Sequence, residues 1–205
     1  MFKKTLISLA LAAAFVPSIA SAQNALATEG PWLVRVRALY MINTNDNDPE
    51  LSLGKIEASD EFFPEIDLTY FINDNLALEL VATYPQKHDI TLNGTNIGTV
   101  KQLPPTLLLQ YHFMPNDTIR PYVGVGINYT AFSDENFTIP GVSVSSSSWG
   151  PALQAGFDYK IAPRWYVNAD VKYVWIDTDV KLNGVRLTTL DINPWLLSIG
   201  IGYRF

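Results

Sequence analysis

Eight stretches of the sequence alternate apolar and polar residues with a period of two, and no other feature constrains the fold as much. Successive side chains on a β-strand point to opposite faces, so this period marks a strand with one apolar face. In the first stretch Trp32, Val34, Val36, Ala38 and Tyr40 share a face against Leu33, Arg35, Arg37 and Leu39. In the last, Trp195, Leu197, Ile199, Ile201, Tyr203 and Phe205 share a face against Leu196, Ser198, Gly200, Gly202 and Arg204. Six more run through 62–71, 76–84, 106–113, 121–130, 149–160 and 165–175.

The connections alternate in length. Asn73-Asp74-Asn75, Pro115-Asn116-Asp117 and Ala162-Pro163-Arg164 are short and turn-forming. The others, 43–58, 85–101, 133–148 and 178–189, are long and polar. Short turns at one end and long loops at the other are the habit of outer-membrane barrels, with the turns periplasmic. Asn93-Gly94 and Asn183-Gly184 are hairpin signals that predict ribbons within two of the long loops.

A soluble sandwich also alternates, and the aromatic residues decide between the two. With the strands run up and down from the periplasm, Tyr40, Phe62, Tyr84, Tyr129, Trp149, Trp175 and Trp195 fall at the outer rim of the apolar face. Trp32, Tyr70, Tyr111, Phe113, Tyr159, Trp165, Tyr203 and Phe205 fall at the inner rim. Two aromatic bands flanking aliphatic residues fit the two membrane interfaces. In lipid an unpaired backbone group costs several kcal/mol, so such a sheet has to close, and eight strands bring the last back antiparallel to the first. The predicted fold is an all-β, eight-stranded antiparallel transmembrane β-barrel spanning residues 23–205.

Residues 1–22 read as a cleaved signal peptide. Lys3 and Lys4 precede the apolar run Leu6–Val16, Pro17 breaks it, and Ala20-Ser21-Ala22 supplies a cleavage site. That run is far short of the about 20 residues that a spanning helix needs. Losing the leader's two lysines takes the formal net charge from −6 to −8, which argues against a nucleic-acid partner. With no cysteine, disulfides and thiolate metal sites are excluded.

Several motifs together resemble the outer membrane protein W family, which includes alkane-uptake barrels. They are Leu103-Pro104-Pro105-Thr106-Leu107, Gln110-Tyr111-His112-Phe113, Arg120-Pro121-Tyr122-Val123-Gly124-Val125-Gly126-Ile127-Asn128-Tyr129, Pro194-Trp195, and Gly200-Ile201-Gly202-Tyr203-Arg204-Phe205. The resemblance covers the whole mature chain. It implies an outer-membrane barrel in a Gram-negative cell with a porin-like, apolar conduit for small hydrophobic molecules. One departure is Asn193, where the family commonly places Asp before Pro-Trp.

The inward face divides into two zones. Arg35, Arg37, Glu65, Asp67, Glu79, His112, Asp158, Lys160, Asp170, Lys172 and Arg204 put its charges toward the periplasm, as an expected plug. Leu39, Met41, Phe63, Val81, Leu108, Val174, Ile176, Ile192 and Leu196 make its outer half apolar, as an expected channel lining. A solute entering from outside would meet the plug and leave sideways into the membrane. Pro64, Pro105, Pro121 and Pro151 are places where strand pairing could loosen, because proline lacks a ladder donor. The other reading of the apolar half is a closed, packed interior.

Other functions are weaker on this sequence. A structural or adhesive barrel binding partners through its loops is the main alternative. A lipid-modifying enzyme would need His88-Asp89 and Ser145–Ser148 to assemble a triad across loops. No cofactor is expected and no metal-ligand spacing appears. Outer-membrane lipids and small hydrophobic solutes are the expected partners. Tyr203 and Phe205 resemble the terminal signal read by the barrel assembly machinery.

Overall fold

A computed structural model describes residues 29–44, 46–47 and 56–205. The expected leader lies outside the described residues. Eight strands form the barrel: β1 (Trp32–Ile42), β2 (Glu61–Phe71), β3 (Leu76–Thr83), β4 (Thr106–His112), β5 (Ile119–Phe137), β6 (Ser147–Ala162), β7 (Trp165–Val174) and β8 (Trp195–Arg204). Each pairs antiparallel with its sequence neighbours, and β1 closes on β8 from Leu33↔Arg204 to Ile42↔Trp195. The wall therefore closes on itself with no edge strand, as the closure argument requires.

The alternation sets which side chains face out. Along β4, Leu107, Leu109 and Tyr111 are exposed while Thr106, Leu108, Gln110 and His112 are buried. Register places many rim aromatics opposite one another. Trp32 faces Tyr70, Tyr129 faces Trp149, and Trp165 faces Tyr203, with ring centroids 4.7, 4.6 and 4.9 Å apart. Such cross-strand pairs are the unit of sheet stabilisation. Here they also anchor the bands at the two interfaces.

At the turn end the connections are tight. At the loop end the strands run on as ribbons. Gln86–Leu92 pairs with Thr95–Leu103 through the Asn93-Gly94 turn, and Asp177–Leu182 pairs with Val185–Asp191 through Asn183-Gly184. Both turns have positive φ at both positions (52° and 78°, 51° and 82°), the backbone that Asn-Gly tolerates and that matches strand twist. Asn193 also has a positive φ of 34°, and its side-chain oxygen accepts the Ile176 N–H at 3.0 Å. The departure from Asp there thus keeps a backbone contact that needs no charge.

The wall is unformed along a seam beside β2. The β2–β3 ladder ends at Glu65↔Thr83 and resumes only where Ser59 donates to the Asp89 carbonyl at 3.1 Å, continuing to Ala58↔Ile90. Between these points no ladder pairing joins Glu61–Pro64 to Tyr84–His88. Pro64 and Pro85 lack N–H donors on either side. The in–out alternation also slips: Thr83 faces in, and so do Gln86 and His88, with Tyr84-Pro85 between them. Phe62 and Tyr84, 69% and 76% exposed, flank this seam.

Candidate functional site

The lumen is built in three tiers, and its chemistry changes from one to the next. At the loop end all nine residues expected to line a channel fall in one apolar cluster: Leu39, Met41, Phe63, Val81, Leu108, Val174, Ile176, Ile192 and Leu196. The ribbons extend it with Ile90, Val100, Val180 and Leu190, joined by Ala58 and by Phe132 of β5. An upper cavity lies among the ribbon residues, with about 500 Å³ of space free of atoms when its open mouth is included. A smaller one below it is walled by Leu39, Phe63, Val81 and Val174, and by Glu65 and Lys172. Apolar space thus reaches down to the first ion pair.

The middle tier is an ionic core. Arg35 reaches across the lumen, with Nη2 2.7 Å from Asp158 Oδ2 and Nη1 3.0 Å from Asp67 Oδ1. Arg37 lies 2.7 Å from Glu65, 2.8 Å from Asp67 and 3.0 Å from Glu79. Lys172 Nζ sits between Glu65 at 3.0 Å and Asp170 at 2.6 Å. Neutral groups take up further carboxylate lone pairs: Gln110 and Gln154 donate to Glu79 at 2.9 and 2.7 Å, and the Tyr122 hydroxyl donates to Asp170 at 3.1 Å. His112 sits against the Gln110 side-chain oxygen at 3.2 Å and rests on the Phe71 and Tyr122 rings. Buried charges persist only when paired and hydrogen-bonded. Arg35, Arg37 and Lys172 between them meet both conditions.

The third tier closes the turn end, and it divides the expected plug in two. Lys160 and Arg204 do not join the ionic core. They converge instead with Arg120 on the carboxylate of Glu29, just ahead of β1. Arg120 lies 2.6 Å and Arg204 3.2 Å from Glu29 Oε2, and Lys160 contacts the other oxygen. Arg204 also donates to the Gly30 carbonyl at 2.7 Å and lies 3.8 Å above the Phe71 ring. Partial burial works against the Glu29 carboxylate, but hydrogen bonds from Arg120, Lys160 and Tyr166 outweigh it and lower its pKa to about 2.

Sequence reasoning missed Glu29, Arg120, Tyr166, Gln154 and Asn168 as lumen partners. Arg120 was within reach: extending the β5 alternation back one residue from Tyr122's face points it inward. Glu29 precedes any alternation and has no such signal. Of the prolines considered for loosened pairing, Pro121 and Pro151 sit in a formed ladder and Pro105 lies just ahead of β4, each accepting a backbone N–H at 3.0 to 3.1 Å. Pro64 alone borders the open seam, opposite Pro85.

His88 does not meet a serine hydroxyl. Its Nδ1 is 3.0 Å from the Ser59 carbonyl oxygen, while the Ser148 hydroxyl is bonded to Asp177 at 3.3 Å. No group of three His, Asp or Glu suited to a metal occurs among the described residues.

A closed eight-stranded barrel with banded aromatics outside and a lumen passing from apolar to ion-paired defines a small outer-membrane protein of a Gram-negative cell. The chain belongs to the OmpW family, whose profile matches residues 28–205. It is 34% identical over 220 residues to outer membrane protein W of Vibrio cholerae, covering 99% of this chain and 100% of that one. It is 37% identical to the uncharacterized outer-membrane protein y4mB of Sinorhizobium fredii, covering 96% and 94%. The crystal structure of OprG from Pseudomonas aeruginosa matches it with a TM-score of 0.75 at 32% identity, covering 86% of this chain and 97% of that one. These are outer-membrane proteins, and the chain is one of their family.

Proposed function

We propose that the barrel admits small hydrophobic molecules from outside and releases them sideways into the membrane. The observation that carries this is the apolar cavity at the loop end, which rests directly on a buried, ion-paired core. An apolar solute gains by leaving water for that cavity at roughly 25 cal/mol per Å² of surface buried. It cannot continue downward, because separating the Arg35, Arg37 and Lys172 pairs would strand buried charge. The exit of least resistance is the seam between Glu61–Pro64 and Tyr84–His88, where no ladder has to be broken. Leu39, Met41, Phe63, Val81, Leu108, Val174, Ile176, Ile192 and Leu196 act as the lining in this reading, and the ionic core acts as the plug.

Replacing Leu108 and Val174 with arginine tests the proposal. Uptake of a hydrophobic probe by cells bearing the variant should fall sharply, with the barrel still folded. Uptake at the parental rate would leave these residues as packing alone. Export through the leader at 1–22 and recognition of Tyr203 and Phe205 by the assembly machinery belong to the same proposal. Removing Phe205 should reduce the amount of folded barrel without altering the lumen.

A further inference from the structure

We infer that the upper cavity is built for hydrophobic molecules carrying a hydrogen-bond donor at one end, the class of alcohols and phenols, in preference to plain hydrocarbons. The inference rests on the conduit reading and gives it a substrate class.

His88 carries the argument. It lies on the ribbon strand Gln86–Leu92, points inward and is 4% exposed. Its Nδ1 stands 3.0 Å from the Ser59 carbonyl oxygen, which only accepts. Nδ1 therefore bears the proton, and Nε2 is left as a lone-pair acceptor. Burial holds the imidazole below its ordinary titration range, so the neutral form prevails at pH 7. Among the described residues Nε2 has no hydrogen-bond partner, although it is buried. His88 lines the upper cavity alongside Ile90, Val100 and Phe132.

A second group on the same cavity points the same way. The Thr178 hydroxyl lines it, is buried, and likewise lacks a partner among the described residues. Buried polar groups are nearly always satisfied, so two orphans in a wall whose one other polar member is Gln102 call for a ligand that satisfies them. A hydrocarbon entering the cavity would exclude water and leave both unpaired. An alcohol would donate to His88 Nε2 while its chain lies on the apolar wall. A site holding such an acceptor discriminates strongly against the analogue that lacks the donor.

The chain has only two histidines, which gives a direct readout. The full barrel, labelled with ¹⁵N-histidine in lipid nanodiscs, is titrated with 1-octanol, octane and dibutyl ether, with His112 as the internal reference. Methyl signals of Ile90 and Val100 report entry into the cavity. Octanol should shift the His88 Nε2 resonance and occupy the cavity at a concentration at least about tenfold below that of octane or the ether, a discrimination well within reach of one hydrogen bond. His88→Phe should abolish the preference while still binding octane. Equal occupancy by octanol and octane, or a His88 signal that octanol leaves unmoved, would overturn the donor preference and spare the conduit. No perturbation of Ile90 and Val100 by any probe would overturn the conduit reading itself. If His88→Phe fails to fold, the comparison of probes on the parent barrel still decides.

Discussion

Arg35 on β1 and Asp158 on β6 hold a two-point contact across the lumen, with Nη2–Oδ2 at 2.7 Å and Nε–Oδ1 at 3.0 Å between residues 123 apart in sequence. β7 and β8 lie between these strands on one side of the wall and four strands on the other. The pair is therefore a strut through the interior rather than a neighbour contact. Arg35 is fully buried, so removing its partner strands a charge in a medium that cannot solvate it. Asp158→Ala should destabilise the barrel by about 3–5 kcal/mol, the cost typical of breaking a buried pair. Urea unfolding in lipid vesicles, followed by tryptophan fluorescence, measures this. Asp158→Asn, which keeps an acceptor, should lose less. Equal stability of all three proteins would mean that Arg35 relies on its other partners, Asp67 at 3.0 Å, Thr69 at 2.8 Å and Glu79 at 3.4 Å.

The strands, faces and apolar zone were legible because period-two alternation converts directly into orientation. Leu108 and Val174, for example, needed only parity to be placed inward at the loop end. The division of the plug was not legible, because parity gives a face but not a partner. Lys160 and Arg204 share their face with Arg35, yet lie at the turn end, where Glu29 draws them. The open seam was half legible. Pro64 marks one side, whereas Pro85 reads in the sequence as the first residue of a loop, and the slip in alternation there depends on the backbone path.

Glu29 gives a pH signature of known sign. Its folded pKa of about 2 lies below the ordinary 4.5 of a glutamate. A depressed carboxylate contributes stability that is fully present above its unfolded pKa and is lost as pH falls through the folded value. The parent should therefore be more stable than Glu29→Gln by a constant margin above about pH 5, with the margin shrinking between about pH 4.5 and 2. Unfolding curves of the two proteins across that range provide the check. A margin that grows on acidification would show that Glu29 is not ionised in its contact with Arg120, Lys160 and Arg204.

The seam should behave as an opening only while its ladder stays unformed. Pro64→Ala with Pro85→Ala returns a donor to each side of the break, and a paired strand resists parting. In this double variant amide exchange at Glu61–Phe63 and Gln86–His88 should slow, and hydrophobic-probe uptake should fall. Pro121→Ala is the control, since Pro121 already pairs with Phe157 and its carbonyl accepts from Phe113. If exchange slows while uptake holds at the parental rate, the solute leaves by another route.

Gly156 is a packing requirement of the ionic core rather than a turn residue. It faces inward on β6, where a Cβ would stand 2.6 Å from the Tyr122 hydroxyl and 2.7 Å from the Ala169 carbonyl oxygen. That hydroxyl donates to Asp170 and accepts from Asn168 at 3.0 Å, and Asn168 in turn donates to Asp158 at 2.9 Å. One added methyl therefore presses on the network that holds Arg35. Gly156→Ala should cost about 1–3 kcal/mol, the usual range for overpacking a filled interior. Much of that cost should vanish when Tyr122→Ala removes the ring, while pressure on the Ala169 carbonyl remains. A double-mutant cycle separates the two contributions. Full additivity would show that the strain falls on the β7 backbone and leaves Tyr122 undisturbed.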